Sequence, residues 1–488
     1  MVLLAALLAC GGDPTVQGTS EAPSVPEAPV EPQPMAVVRP ETPSAPPAAP
    51  DGAPSAPVGA LALVLSSRGE GEIEPCGCQR HPSGGLARRR TAIDELREAT
   101  PVVVLEGGES LGRSAAPPGR RGEGQRLAKA RLIAEEWVGS GLDAAALGES
   151  DWALGTGATR ELVERTGIPV VAANLVCEAG ARPFPAARVV ERGERTIGVV
   201  GVTVGEVAGC QVTDPVEAAR EARALLGEVD VSVLLWPARD NAAAGAALVG
   251  LPFDFVLDAR GRSVAEPVGD LPTWVLGGGA RTRSLGVVEV GLRTEPEEPR
   301  GIVPGSVRAR SVALDSAVQA HEATAQHVAA VKASFSSLAD AGGAEVVSRP
   351  MRRDSGPYLG TEGCVSCHPG PYSQWRRTKH AQAIPALVAV DRHADEACFG
   401  CHVTGAQPSG EAGFPVVIAD PSEVGGGNNV QCEACHGPGR AHAADPASAS
   451  MVQPTEATCR TCHTPEQDEG RFDLGSYRPR ILHTPQAL

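Results

Sequence analysis

The chain has 488 residues, more than one hydrophobic core usually serves, so at least two domains are expected. Its formal net charge is −16, whereas proteins that bind nucleic acids are normally basic. No nucleic-acid partner is therefore expected. Aromatic residues make up only 3% of the sequence. The core must therefore consist of Ala, Val and Leu, unless a large apolar cofactor supplies the missing bulk.

The opening segment, residues 1–10, reads MVLLAALLAC and resembles a bacterial lipoprotein signal, in which Cys10 becomes the lipidated first residue. It lacks the basic residues with which signal peptides begin, so the alternative is an apolar, frayed N-terminus. Residues 11–58 are rich in Pro and Ala, a composition that predicts a disordered linker. Elsewhere no run of about 20 apolar residues occurs, so the membrane is expected to be reached only through the lipid anchor.

Short apolar runs alternate with helical patterns over residues 60–305. Strands are predicted at LALVLSS, PVVVLEGG, IPVVAANL, IGVVGVT, VSVLLW, FDFVLD and TWVLGGG. Helices are predicted at TAIDELREA, RLAKARLIAEEWVGSG and DPVEAAREARALLGEV. Such alternation predicts an α/β layered domain, whose ligands gather at the carboxyl ends of the strands.

The order of these segments resembles the metallophosphatase domain of the 5′-nucleotidase family, with its metal loops at VLSSRGEGEIEP, VVVLEGGES, DAAALGESDWALG, VLLWPAR and FVLDARGRS. The resemblance implies that the family's ligand positions are held here by Arg68, Glu70, Glu109, Glu149, Ser150, Pro237, Arg260 and Arg262. Arginine stays protonated and does not ligate a metal. This predicts a catalytically dead phosphatase-like domain lacking metal ligands, in which Arg68, Arg260 and Arg262 balance the three glutamates. The alternatives are an arginine cluster that binds an anion such as phosphate, and a working metal-dependent 5′-nucleotidase-like phosphatase, which the missing ligands oppose.

Four cysteines in this region lie outside any motif: Cys76, Cys78, Cys177 and Cys210. In an oxidising compartment the simplest expectation is two disulfides. The alternative is a redox or metal-binding dithiol at Cys76 and Cys78, with His81 nearby.

Residues 308–345 have a helical pattern and are predicted to be a connector between the two domains. They include His321 and His327. Both histidines are expected to be exposed to solvent.

Residues 351–488 contain four copies of C-x-x-C-H, the attachment signature of c-type haem, numbered here motif 1 to motif 4. The motifs are Cys364, Cys367 and His368; Cys398, Cys401 and His402; Cys432, Cys435 and His436; and Cys459, Cys462 and His463. The two thiols add to the porphyrin, and the adjacent histidine binds the iron. Zinc sites instead pair C-x-x-C units around one ion with separately spaced histidines. The four motifs therefore predict four covalently attached haem c groups.

The same segment contains four further histidines, His380, His393, His442 and His483, as candidate sixth ligands. If all four bind, every iron is six-coordinate and suited to electron transfer. If one does not, its haem is open to a small molecule. His393 has charged neighbours and His483 lies near the C-terminus, so these two are the weaker candidates.

The stretches YLGTEGCVSCHPGPYSQWRRTKHAQA, CFGCHVTG, VQCEACHGPGRAH and CRTCH resemble the tetrahaem cytochrome c family related to the electron acceptor of hydroxylamine oxidation. The resemblance implies that His380 and His442 are distal ligands. It also implies a mainly α and irregular multihaem domain. Some members of the family leave one haem five-coordinate.

Together these patterns predict a lipid-anchored multihaem cytochrome of the periplasm or cell envelope that exchanges electrons with redox partner proteins. The alternative is a redox enzyme acting on a small nitrogen or sulfur species, either at an open haem or at a Cys76/Cys78 centre.

Overall fold

The computed structural model describes residues 32–40, 60–75, 81–113, 122–238, 250–260, 266–267, 273–293, 300–335, 337–338, 357–405, 428–468 and 470–483. The predictions that concern Cys10, Cys76, Cys78 and Arg262 lie outside these residues.

Fourteen strands in the described residues form three sheets. Their bounds are β1 Val37–Val38, β2 Ala60–Ser66, β3 Val102–Glu106, β4 Ala144–Ala145, β5 Leu175–Cys177, β6 Ala187–Arg192, β7 Arg195–Gly201, β8 Cys210–Val212, β9 Val231–Trp236, β10 Phe255–Asp258, β11 Glu266–Pro267, β12 Trp274–Gly277, β13 Ser284–Gly291 and β14 Arg308–Ala313. The first sheet has the order β1-β6-β7-β9-β10-β12-β11 and the second β14-β13-β2-β3-β4, while β5 and β8 pair alone. Strands β2, β3 and β4 run parallel, as do β7, β9, β10 and β12.

Six helices accompany these strands: α1 Leu86–Ala99, α2 Glu123–Gly139, α3 Glu149–Trp152, α4 Thr156–Thr166, α5 Pro215–Leu226 and α6 Glu322–Ala333. The start of α5 follows from local sequence, because Asp214 accepts hydrogen bonds from the N–H groups of Val216 and Glu217 and Pro215 occupies the first turn.

The two large sheets pack face to face, and helices cover their outer faces. Alternate residues of β2 divide between the layers: Leu61, Leu63 and Leu65 face the first sheet, whereas Ala62 and Val64 join the core beneath α1 and α2. Helix α5 covers the other side of the first sheet. The period-two alternation of a strand buried on both faces produces this pattern. The structure confirms the α/β layered fold that the sequence predicts.

Three segments differ from the sequence prediction. Residues 32–40 fall within the predicted disordered linker, but Val37 and Val38 add an edge strand beside Ala187 and Arg188, because two β-branched residues interrupt the proline-rich run. IPVVAANL forms only one bridge, between Val170 and Ala145.

The predicted helical connector is the third difference. Its first residues, Arg308–Ala313, form the edge strand β14 against β13, and the helix begins only at Glu322. Ala309 packs toward the core between the sheets and Val312 toward the core beneath α1 and α2, so these two residues lie on opposite faces of an extended strand, whereas in a helix they would share one face.

The C-terminal region consists of short helices and irregular segments, which confirms its predicted class. The helices are α7 Thr361–Cys364, α8 Pro369–Trp375, α9 Ala383–Val388, α10 Phe399–His402, α11 Cys432–His436, α12 Arg440–Ala444, α13 Glu456–Arg460, α14 Pro465–Asp468 and α15 Leu474–Ile481. Its main apolar cluster in the described residues contains Ile384, Leu387, Phe399 and Val403, far less than a domain of this length normally buries.

Cys177 and Cys210 form a disulfide between directly paired residues of β5 and β8. Among the described residues, no helix combines the length and apolar character needed to cross a bilayer.

Candidate haem sites and the former metal site

The loops that follow β2 and β3 hold three residues at positive φ: Arg68 (52°), Glu70 (53°) and Glu109 (63°). Non-glycine residues rarely adopt this conformation, and it concentrates at functional loops. All three are positions at which the resemblance to metallophosphatases places metal ligands. The three residues in this rare conformation thus coincide with the positions of the predicted metal loops.

Charge at this site is balanced within the protein. Arg68 Nε donates to Glu70 Oε1 at 2.9 Å, and Arg281 Nη2 donates to Glu72 Oε1 at 3.0 Å. Arg113 Nη2 donates to the same Glu72 oxygen at 2.9 Å. Because these cations already face carboxylates, a free anion would have to compete with them.

The sequence predicts that Arg260 balances the charge of the three glutamates, and this prediction is wrong. Arg260 Nε donates to Asp258 Oδ2 at 2.6 Å, not to one of the three glutamates, because Asp258 ends β10 only two residues earlier. Arg281, whose side chain is 7% exposed, instead supplies charge near Glu70. Arg281 follows β12 in a loop that no sequence motif marked.

The Glu109 side chain supports the start of α3 through hydrogen bonds. Its carboxylate accepts hydrogen bonds from the N–H groups of Glu149 (2.8 Å) and Ser150 (3.2 Å), which are otherwise unpaired at a helix N-terminus. Gly148 makes this possible, since a Cβ there would overlap the Glu109 carboxylate. Fully buried Asp151, which sequence reasoning missed, accepts four backbone N–H groups from this loop and its neighbour.

Six of the eight histidines of the C-terminal region lie in pairs. His368 of motif 1 faces His442 with ring centroids 6.3 Å apart, and His463 of motif 4 faces His380 at 6.3 Å. His436 of motif 3 faces His483 at 5.8 Å. Each pair joins one C-x-x-C-H histidine to one of the further histidines.

These separations fit one metal atom between the two rings. A metal–imidazole bond is about 2 Å long, so two imidazoles on opposite sides of one ion hold their centroids roughly 6 Å apart. No cluster of three or more His, Cys, Asp or Glu side chains suited to one metal ion occurs in the described ranges.

The hydrogen bonds of three histidines also fit metal binding. Nδ1 of His402 donates to Ala383 O (2.7 Å), Nδ1 of His436 to Val452 O (3.0 Å), and Nδ1 of His442 to Ala449 O (2.8 Å). A carbonyl oxygen only accepts, so the proton lies on Nδ1 and Nε2 keeps a lone pair for a metal. Burial also lowers the pKa of His380, His402, His463 and His483, which favours the neutral form that binds metal.

Motif 2 differs from the other three. The histidines of motifs 1, 3 and 4 each face a second imidazole, but among the described residues none faces His402. The remaining candidate, His393, lies beside a cavity of about 310 Å³ that Lys332, Phe335 and Asp395 also line. Its Nδ1 is buried and has no hydrogen-bond partner among the described residues.

The four motifs touch one another in an order that differs from their order in the chain. The Cys364 and Cys432 side chains lie close enough for their thiols to interact, which brings motif 1 next to motif 3. Cys462 likewise lies close to Cys401, and its thiol also approaches the Gly400 carbonyl at 3.8 Å, which brings motif 4 next to motif 2. Cys435 of motif 3 lies within electrostatic reach of Cys462.

The segment before motif 2 is bound to the phosphatase-like region. Lys129 Nζ pairs with Asp395 Oδ1 at 2.6 Å. Gln125 donates to the carbonyl of Ala394 (2.8 Å) and accepts from the N–H of Glu396 (3.1 Å). Through these contacts, α2 of the N-terminal region binds the residues that directly precede motif 2.

Of the two connector histidines, neither is fully exposed. His321 caps α6 by accepting from the N–H of Thr324 at 3.3 Å, and His327 Nδ1 lies 2.8 Å from Glu136 Oε1. The exposure expected from the sequence is therefore wrong, because α6 packs against α1 and α2.

Comparison with known proteins assigns the two regions separately. Residues 363–437 match the family model of cytochrome c554 and c-prime. Cytochrome c-554 of Nitrosomonas europaea is 34% identical over 99 residues, which cover 17% of this chain and 40% of that protein. The chain thus spans less than half the length of this relative.

The structural neighbours resemble the N-terminal region. A 5′-nucleotidase precursor from Thermus thermophilus is 16% identical, with a TM-score of 0.47 and coverage of 56% of this chain and 58% of that one. The calcineurin-like phosphoesterase YfkN from Bacillus subtilis is 13% identical, with a TM-score of 0.46 and coverage of 58% and 98%. Residues 363–437 are similar in sequence to cytochrome c554 and c-prime, and the chain also resembles solved 5′-nucleotidase and phosphoesterase structures in fold.

Proposed function

We propose that this protein is a four-haem c-type cytochrome that passes electrons between redox partner proteins in the periplasm or cell envelope, anchored by lipid at Cys10. The observation that carries the proposal is the set of three imidazole pairs, each with one C-x-x-C-H histidine, at ring separations of 5.8 to 6.3 Å. Covalent haem c would supply one-electron chemistry at each motif. The chain's part is to hold the axial nitrogens and keep the groups in contact.

The contacts between motifs support electron transfer through the whole region. Cysteines of motif 1 lie close to those of motif 3, and cysteines of motif 4 close to those of motif 2, so the haems of each such pair of motifs would lie close together. Bis-histidine ligation leaves no open position on the iron and favours electron transfer over substrate binding.

We also propose that the phosphatase-like region is catalytically dead and serves as a structural support. Two-metal hydrolysis needs carboxylates and neutral imidazoles around both ions. Here the corresponding loops carry Arg68, Glu70 and Glu109, which are engaged with neighbouring protein groups.

A second candidate is a reaction with a small molecule at motif 2, because no second imidazole faces His402 among the described residues. An open iron there would bind a small nitrogen or sulfur species. The Cys76/Cys78 dithiol remains a prediction outside the described residues.

Absorption spectroscopy of protein matured in a host that assembles cytochrome c, with iron measured per polypeptide, tests the main proposal. We expect the reduced haem c spectrum and four irons per chain. Colourless protein, or zinc in place of iron, would contradict it.

Carbon monoxide added to the reduced protein separates the carrier from the enzyme. One equivalent bound per chain indicates a single open iron, and none indicates four six-coordinate haems. Turnover of a 5′-nucleotide or phosphodiester after addition of Mn²⁺ would show that the phosphatase-like region is active, whereas we expect none.

A further inference from the structure

Asp468, at the end of α14, is a carboxylate in an unusual position. The residue is only 9% exposed, and neither side-chain oxygen has a hydrogen-bond partner among the described residues. A buried polar group without a partner costs free energy, and a charged one costs more. Its Oδ2 lies 3.8 Å from Nδ1 of His463, the iron-binding histidine of motif 4.

The other motif histidines with a clear Nδ1 partner use a neutral one. His402 and His436 both donate to backbone carbonyls. Only His463 faces a carboxylate among these three. The 3.8 Å separation is too long for a direct hydrogen bond, and a small rotation of the carboxylate or one bridging water would complete the contact.

The phosphatase-like region holds α14 in place. With its amide oxygen facing the guanidinium, Gln467 accepts from Arg281 Nη1 (2.8 Å) and Nη2 (3.1 Å). A guanidinium only donates, which assigns this orientation. Arg281 is itself bound to Glu72, and Arg471 Nε donates to the Asp468 carbonyl at 2.7 Å.

We propose that Asp468 is a positioning residue that accepts a hydrogen bond from Nδ1–H of His463 and lowers the reduction potential of the haem at motif 4, and that Arg281 holds it there through Gln467. This inference rests on the proposed function, because it requires haem c at motif 4. An anionic acceptor strengthens electron donation by the imidazole, and the buried negative charge stabilises the oxidised iron. The former metal site would thereby act on a haem in the other region.

The test uses the full-length protein with its haems in place and a redox titration of each haem. Asp468→Asn keeps the shape but removes the charge. We expect the reduction equilibrium of one haem to shift about tenfold toward the reduced form, about 59 mV for one electron. His380→Met changes the axial ligand of the same iron, so the potential that it raises identifies the haem that Asp468→Asn must move.

Asp391→Asn is the matched control. The Asp391 side chain is 84% exposed, and asparagine is well suited to its φ of 52°. All four potentials should stay unchanged in this variant. Gln467→Ala should raise the same potential as Asp468→Asn, and the two changes together should give no more than Asp468→Asn alone.

Should Asp468→Asn fail to fold, Asp468→Glu keeps the charge, and its motif 4 potential should stay within the error of the unmodified protein. Four unchanged potentials in haem-loaded Asp468→Asn, or a shift at a different haem, would overturn the inference and leave the proposed function intact. Protein that carries no haem c would instead overturn the proposed function itself.

Discussion

The Lys129 ammonium and the Asp395 carboxylate form an ion pair at 2.6 Å across the two regions of the chain, and both side chains are about nine-tenths buried. The pair joins α2 to the residues that lead into motif 2. Breaking a buried pair from one side leaves a charge without compensation, which costs more than the pair itself contributes.

Lys129→Met should therefore lower the free energy of unfolding by about 3–5 kcal/mol, because Asp395 would remain buried and unpaired. Urea unfolding followed by tryptophan fluorescence measures the change. Arg131→Met is the control, since Arg131 pairs with Glu135 on the exposed face of the same helix. That variant should change stability by no more than about 0.5 kcal/mol, and equal losses in both variants would contradict the assignment.

Acid should weaken the same contact. Burial alone would raise the pKa of Asp395, but Lys129, the N–H of Ala397 and Arg392 together outweigh it and hold the pKa below its usual value. In the unfolded chain an aspartate carboxyl has a pKa of about 3.9. The stabilisation is thus fully present above that pH and is lost as pH falls through the lower folded value.

Urea midpoints measured from pH 7 down to pH 3 test this dependence. The difference between the unmodified protein and Asp395→Asn should shrink only in the acidic part of the range. A difference that stays constant to pH 3 would show that Asp395 is not charged in the folded protein.

His442→Ala should open the iron at motif 1, because it removes the imidazole that faces His368. We expect carbon monoxide binding to the reduced protein to rise by one equivalent per chain. His393→Ala is the matched control and should leave binding unchanged, since His393 faces no motif histidine among the described residues. Unchanged carbon monoxide binding in His442→Ala, or increased binding in His393→Ala, would contradict these assignments.

Replacing both Cys177 and Cys210 with serine should lower stability by about 4 kcal/mol, the loop-closure value for a cross-link that spans 33 residues. Urea unfolding under non-reducing conditions gives the difference. Reductant should bring the unmodified protein to the level of the double variant without affecting the variant. A reductant effect of equal size on both proteins would place the labile bond elsewhere.

The sequence predicts most strongly what depends on local spacing. C-x-x-C-H identifies all twelve motif residues because the chemistry demands adjacent positions, and the long buried strands show continuous apolar runs. His380 and His442 follow from resemblance to a family. His483, one of the two weaker candidates, faces His436 at a distance equivalent to the other pairs.

What could not be predicted depends on packing between distant residues. Arg281 meets Gln467, and Lys129 meets Asp395, over separations that carry no local pattern. Asp151 collects four backbone N–H groups only after two loops converge. The edge strand β14 escapes prediction for a related reason, since its partner β13 supplies the hydrogen bonds that decide its conformation.

The three facing imidazole pairs interleave along the chain, since His368 reaches forward to His442, His380 to His463, and His436 to His483. Dividing the chain anywhere between motif 2 and motif 3 separates His368 from His442 and His380 from His463. If the paired histidines bind iron as proposed, neither half of the C-terminal region, expressed alone, would contain a complete set of axial ligands.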